Sequence, residues 1–212
     1  MLVNLANHIS GELSYSDIES FLEGNQKMNA LIVFGTRYGA TASTSEEIAR
    51  VLREEGFDVR VVNAKKEKLN DISGYELIIV GSGMKINRWT KEPEQFLNKF
   101  KNELSTKKVA IFVSSSIQTI LEHEENTEAI EKAQRTYLEE KADKYSLTPI
   151  AMTIFGGVLN FNEMGWMARK TVGQLWRKYE EIGIEKKDGI YDTRDWDVIR
   201  NWTQELARTV RS

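Results

Sequence analysis

The sequence contains no cysteine, only two histidines and only two prolines among its 212 residues. Without cysteine, disulfide staples, thiolate nucleophiles, zinc–thiolate sites and iron–sulfur clusters are all excluded. His8 and His123 are too few for a multi-histidine metal centre, so any redox chemistry must borrow an organic cofactor. Excess charge of one sign is missing as well. Residues 1–27 hold Glu12, Asp17, Glu19 and Glu23 against Lys27, and removing these from 32 acids and 29 bases leaves 28 of each. That balance carries no electrostatic footprint for nucleic acid, and no nucleic-acid partner is expected. No apolar run approaches the length that spans a bilayer. Met1–His8 also lacks the basic start and apolar stretch of a secretory signal, so a cytoplasmic protein is the expectation. What remains, 41% hydrophobic and 29% charged residues, suits one globular domain of ordinary size.

The richest stretch runs from Ala30 to Thr41. Ala30-Leu31-Ile32-Val33-Phe34 is a short continuous apolar run, the pattern of a buried parallel strand. Gly35-Thr36-Arg37-Tyr38-Gly39-Ala40-Thr41 then supplies hydroxyls, one guanidinium and a glycine that permits close backbone approach or positive φ. A helix is predicted after Thr41, and its unpaired N–H groups and dipole would face the same place, which suits a phosphate. The competing reading is that these hydroxyls only cap the helix, a role open to Thr41, Ser43, Thr44 or Ser45.

Strands and helices alternate from Met28 onward. The pattern predicts a helix over 43–55, a strand over 59–63 and a strand over 76–80 leading into a Gly81-Ser82-Gly83 turn. A helix over 93–104 follows, then a strand over 108–113 ending in Ser114-Ser115-Ser116. Beyond these come a helix over 126–145, a fifth strand near 149–155 closed by Gly156-Gly157, and a last helix over 193–209. The extra stretch 162–183 reads as helical. Residues 1–27 read as an appendage to the 28–212 domain, with a short helix near Ser16–Leu22. Such alternation implies a doubly wound five-stranded parallel sheet with helices on both faces. Ligands of such sheets lie beyond the strand C-termini at the topological switch point, where the loops after strands one, three and four converge.

A dinucleotide site would need G-x-G-x-x-G and an acid closing strand two, but Gly35 and Gly39 stand alone and strand two ends in Asn63-Ala64-Lys65-Lys66. A Walker loop needs Gly-Lys-Ser/Thr, and a receiver domain needs an acidic pair after strand one. Neither is present, which leaves a mononucleotide as the common option. Here Thr36-Arg37-Tyr38-Gly39-Ala40-Thr41 resembles the flavodoxin phosphate loop, and the order of elements over about 28–210 is similar to the flavodoxin-like fold. Three further features resemble the branch of quinone-dependent protoporphyrinogen dehydrogenases. They are the Gly-Ser-Gly-Met-Lys turn at 81–85, Phe155-Gly156-Gly157-Val158-Leu159 before an inserted helix, and Tyr191-Asp192-Thr193-Arg194-Asp195-Trp196 opening the last helix.

The resemblance implies an FMN whose phosphate sits among Thr36, Arg37, Tyr38, Gly39, Ala40 and Thr41. Its isoalloxazine ring would lie between the loops that carry Ser82, Gly83, Met84, Lys85 and Trp89 on one side and Ser114, Ser115 and Ser116 on the other. Met84 and Trp89 would suit as apolar walls for a flat ring, unless Trp89 is an ordinary half-exposed surface residue. No acid–base pair marks itself as catalytic, and His123 in Glu122-His123-Glu124-Glu125 reads as a solvated turn.

Over 164–179, Ala168, Val172, Leu175 and Tyr179 recur at helical spacing beside Trp166, Met167 and Trp176, with four bases and no acid. Such a helix either covers the core or makes peripheral membrane contact. Three functions remain open: an FMN electron carrier serving a redox partner protein, an enzyme oxidising a porphyrinogen and reducing a quinone, or a flavin-free binding module. Carrier flavodoxins are typically acidic, which steers them to basic partners, whereas this core is charge-neutral. Arg37 and the insert lean toward the dehydrogenase branch. Leu159-Asn160-Phe161-Asn162-Glu163-Met164 departs from that branch's Arg- and Tyr-rich segment.

Overall fold

The apolar runs at 30–34, 77–80 and 109–113 become strands buried on both faces. The computed structural model describes residues 27–84, 87–166 and 175–212. The five strands are β1 (Asn29–Gly35), β2 (Asp58–Asn63), β3 (Leu77–Gly83), β4 (Lys108–Ser114) and β5 (Ala151–Phe155). They form one parallel sheet in the order β2-β1-β3-β4-β5. The chain leaves β1 in one direction for β2 and returns past it to β3, so the switch point lies between β1 and β3.

Alternate residues of each strand feed two cores. Ala30, Ile32, Leu77, Ile79 and Phe112 face α1 (Ala40–Glu54) and the C-terminal helix α8 (Trp196–Arg211). Leu31, Val33, Ile78, Val80 and Ile111 face α2 (Lys91–Lys99), its short continuation α3 (Lys101–Leu104), and the helical run after β4. That run comprises α4 (Gln118–His123), α5 (Thr127–Gln134), a π-turn (Arg135–Glu139) and α6 (Glu140–Lys144). The predicted 126–145 helix is thus interrupted by a wider turn. His123 is exposed at the end of α4.

Two boundaries differ from expectation in ways that reshape the site. α1 begins at Ala40, so Ala40 and Thr41 belong to the helix and the loop shrinks to 36–39. β3 runs through Gly81-Ser82-Gly83, because Gly81, Ser82 and Gly83 keep register with β4 at Phe112, Val113 and Ser114. The last helix starts late, at Trp196, where the Asp195 carboxylate accepts from the N–H groups of Asp197 (2.9 Å) and Val198 (3.1 Å) as a cap.

The stretch after β5 is only partly helical. β6 (Val158–Asn160) pairs antiparallel with β7 (Ile190–Asp192), and between them come a 3-10 turn (Phe161–Glu163) and α7 (Leu175–Glu181). A small third core of Ile120, Leu159, Tyr179 and Tyr191 holds this unit to α4. The appendage through residue 26, and residues 167–174 of the 164–179 segment considered for membrane contact, lie outside the described residues. Among the described residues no helix is long and apolar enough to cross a membrane.

α1 and α8 are also joined through Glu47. Its carboxylate accepts from Arg50 Nε (2.8 Å) and Nη2 (2.9 Å) and from Arg200 Nε (2.6 Å). The Arg50 hydrogen bonds chiefly, with those of Arg200 and against the cost of burial, pull its pKa from an ordinary 4.5 down to about 2. A depressed carboxylate stabilises the fold fully above 4.5 and loses that contribution as pH falls through about 2. Unfolding free energy measured by urea titration is therefore expected to decline over that interval. Glu47→Gln should flatten the decline, and an unchanged acid limb would show the bridge to be inert.

Candidate functional site

The register sets Gly35 beside Ser82, Gly83 beside Ser114 and Ser114 beside Phe155 at the C-terminal edge of the sheet. Above this edge the 36–39 loop turns into α1. Thr36 Oγ1 accepts from the Gly39 N–H (3.0 Å), which closes the loop, and Gly39 takes φ 88° at the helix N-cap. Only glycine adopts that left-handed backbone without strain.

No side chain caps α1, and its first turn contains no acid. The Ser43 hydroxyl donates backwards to the carbonyls of Gly39 (3.3 Å) and Ala40 (3.1 Å) and so leaves the first-turn N–H groups alone. Those groups lack intrahelical partners by geometry. The capping role considered for Thr41, Ser43, Thr44 and Ser45 is filled by none of them.

Thr41 is 1% exposed, yet its Oγ1 meets no hydrogen-bond partner among the described residues. A buried hydroxyl left unpaired costs about 1–3 kcal/mol. The place beside it is kept narrow by Gly83. A Cβ there would stand 3.1 Å from Thr41 Oγ1 and 3.6 Å from the Arg37 nitrogen, so glycine brings the β3 terminus against the loop. Arg37 is exposed, its guanidinium 4.8 Å from the Tyr38 ring centroid. A bare helix N-terminus, a spare buried hydroxyl, a left-handed glycine and an exposed cation form a set suited to a phosphate.

The remaining residues divide. Ser114 at the sheet edge is buried with an unpartnered Oγ, as are Thr44 and Ser45 of α1 beside Thr41. Ser115 donates its N–H to the Phe155 carbonyl (2.9 Å), and the Ser116 carbonyl accepts from the Tyr179 hydroxyl (3.0 Å). Met84 is half-buried at the start of the loop. Lys85 lies outside the described residues.

Ser82 and Trp89, by contrast, are engaged inside the protein. Ser82 Oγ donates to the Gly83 carbonyl (3.0 Å) and accepts from the Thr90 N–H (3.0 Å), which ties the two ends of the 84–89 loop. Trp89 is 5% exposed, belongs to the core of the α2 face, and donates its indole N–H to the Tyr137 carbonyl (2.9 Å). It is neither an open wall for a ring nor a half-exposed surface residue. A tryptophan that also bridges Met84 anchors the loop from below.

Sequence reasoning missed the part played by the unit after β5. Arg194, remote in sequence, donates through Nη1 to the Ala40 carbonyl (3.3 Å) and to Ser43 Oγ in the first turn of α1. Tyr179 holds the Ser116 carbonyl from the other side. Burial pushes its phenol up to about 12, against the opposing effect of that hydrogen bond, so it stays a donor at ordinary pH. The signal was present as the Thr193-Arg194 pair and the Gly156-Gly157 step, but neither points to its partner locally.

Residues 31–181 match the family model of the flavodoxin domain. Among solved structures, the rubredoxin oxygen:oxidoreductase of the anaerobe Desulfovibrio gigas is 16% identical with a TM-score of 0.52, over 92% of this chain and 40% of that one. This chain thus spans about two fifths of that oxidoreductase. A short-chain flavodoxin associated with a non-canonical PDU bacterial microcompartment is 11% identical with a TM-score of 0.53, over 86% of this chain and 99% of that one. At these identities the likeness speaks for the fold. No curated protein sequence matches the chain.

Proposed function

Since the chain belongs to the flavodoxin domain family, we propose that it is an FMN-dependent redox protein that holds the cofactor phosphate at the α1 N-terminus and passes electrons to a partner. The observation that carries this reading is the unpaired, buried Thr41 hydroxyl under an uncapped helix at the β1/β3 switch point. When bound, FMN supplies the electron-transfer chemistry. The chain's residues bind and orient it: Thr41, Arg37 and the first-turn N–H groups for the phosphate, and Ser114 with the Met84 and Ser116 backbones for the ring. Buried Trp89 and the Ser82–Thr90 bonds keep the ring loop in place.

The test is reconstitution of the purified protein with FMN and with riboflavin, followed by flavin fluorescence. Hydrogen bonds to a charged phosphate are worth about 1.5–3 kcal/mol each, so FMN is expected to bind at least about 10-fold more tightly than riboflavin. Equal affinities would move the phosphate elsewhere, and no binding of either flavin would overturn the reading.

A second reading, oxidation of a porphyrinogen with a quinone as acceptor, rests on the sequence resemblance alone. Two of the stretches that resemble that branch, around Gly157 and Thr193, meet in one unit. Gly157 donates its N–H to Thr193 Oγ1 (3.0 Å), and Thr193 donates its N–H to the Gly157 carbonyl (2.9 Å). Porphyrinogen oxidation above the free-flavin background, with quinone supplied, would support it. A rate equal to that background would leave the carrier reading alone.

A further inference from the structure

The unit after β5 reaches both parts of the proposed cofactor site, through Arg194 just past β7 on one side and Tyr179 of α7 on the other. Arg194 is 9% exposed at its side chain and reaches the phosphate loop from the far end of the chain. Its guanidinium is aimed before it arrives. Asp192 accepts from Nε (2.8 Å) and Nη2 (2.6 Å) in a fork, and the Trp196 ring lies 4.4 Å from its centre. Only Nη1 is left over, and it donates to the Ala40 carbonyl and to Ser43 Oγ. On the other side, the buried Tyr179 hydroxyl holds the Ser116 carbonyl, and Tyr179 and Tyr191 stack within the same small core, with ring centroids 5.4 Å apart.

We propose that the unit after β5 is a clamp that sets the geometry of both cofactor loops, with Arg194 as the positioning residue of the phosphate loop and Tyr179 as that of the ring loop. Arg194 acts by placement rather than as a free cation, because Asp192 neutralises it and the fork fixes its direction. Its bonds to the Ala40 carbonyl and the Ser43 hydroxyl lock the first turn of α1 from the carbonyl side. The N–H groups of that turn, and Thr41 within it, are thereby held ready for an anion. Tyr179 ties back the Ser116 carbonyl, which orients the adjoining peptide of the ring loop. The two contacts divide the cofactor between them, so they are separable by flavins with and without a phosphate.

The inference rests on the FMN reading, and the experiment separates the two. Dissociation constants for FMN and riboflavin are measured on the full chain and on Arg194→Ala, Asp192→Asn and Tyr179→Phe, with apoprotein melting curves alongside. If the unaltered protein binds no flavin, the FMN reading itself fails. If it binds, Arg194→Ala is expected to weaken FMN about 10-fold and leave riboflavin unchanged. Tyr179→Phe is expected to weaken both flavins by the same factor and to shift the midpoint potential of the bound flavin. Asp192→Asn decides between placement and charge: losing the fork should weaken FMN, whereas a freed cation would strengthen it. Tighter FMN binding in Asp192→Asn, equal losses of both flavins in Arg194→Ala, or wild-type constants in every variant would each overturn the clamp.

Discussion

Thr41→Val is expected to make the apoprotein more stable while it weakens FMN binding about 10- to 100-fold. The two effects have one cause. In the folded chain the Thr41 hydroxyl is buried and unpaired among the described residues, which costs about 1–3 kcal/mol. Valine has nearly the same shape and no hydroxyl, so that cost disappears. A gain of about 1 kcal/mol should raise the melting temperature by about 2–4 °C for a chain of this size. With FMN present the sign reverses. The hydroxyl then donates to a phosphate, and a hydrogen bond to a charged group is worth about 1.5–3 kcal/mol, which corresponds to the stated loss in affinity. Riboflavin binding should not change. A variant that loses stability and keeps FMN affinity would show that Thr41 serves the fold, and the proposed phosphate site would fall with it.

The sheet and its order of elements were legible because parallel strands buried on both faces must be apolar throughout. Leu31–Phe34, Leu77–Val80 and Val109–Val113 satisfy that without interruption. Where strands end in small residues, the pattern misleads. Gly81-Ser82-Gly83 reads as a turn, yet it completes β3, because a ring and a hydroxyl approach too closely for side chains: Phe112 covers Gly81 and Thr41 meets Gly83. Trp89 shows a different limit. Its neighbours in sequence suit a loop, and only the fold reveals that the Tyr137 carbonyl, 48 residues away, satisfies its indole.

The site was legible in the same uneven way. The phosphate loop is contiguous, so its hydroxyls, arginine and glycine could be read together. Contacts that cross the molecule could not. Arg194 meets Ser43 across 151 residues, and β6 and β7 are three-residue strands whose pairing is invisible to local periodicity. Nothing in the run of hydroxyls from Thr41 to Ser45 says that Ser43 finds partners while Thr41, Thr44 and Ser45 are left unpaired by their surroundings. Burial decides that, and burial belongs to the fold.

The largest loss of stability is expected from Gly156→Ala. A Cβ at this position would stand 2.0 Å from the Thr193 carbonyl oxygen and 2.7 Å from its carbon. Both atoms are backbone, so no side chain can swing aside. Thr193 is held on several sides: it exchanges bonds with Gly157 through N–H and hydroxyl, and its carbonyl accepts from Thr119 Oγ1 (3.0 Å). Accommodating one methyl therefore requires the β7 end to part from the β5–β6 turn. Overpacking a fixed site costs about 1–3 kcal/mol and at times more, and the rigid backbone on both sides places this case near about 3 kcal/mol. For this length that corresponds to a fall of about 6–12 °C in melting temperature. Thr193 adjoins Arg194, so the separation also withdraws the guanidinium from the Ala40 carbonyl, and FMN affinity should fall with stability. Gly74→Ala is the matched control, since a Cβ there meets nothing within 4 Å and its φ is not in the left-handed region. It should melt within about 0.5 kcal/mol of the unaltered chain or gain slightly from the stiffer unfolded state. Parallel melting curves that do not separate these two alanines would mean the β5–β6 turn and Thr193 are not in close contact, and the clamp on the phosphate loop would lose its footing.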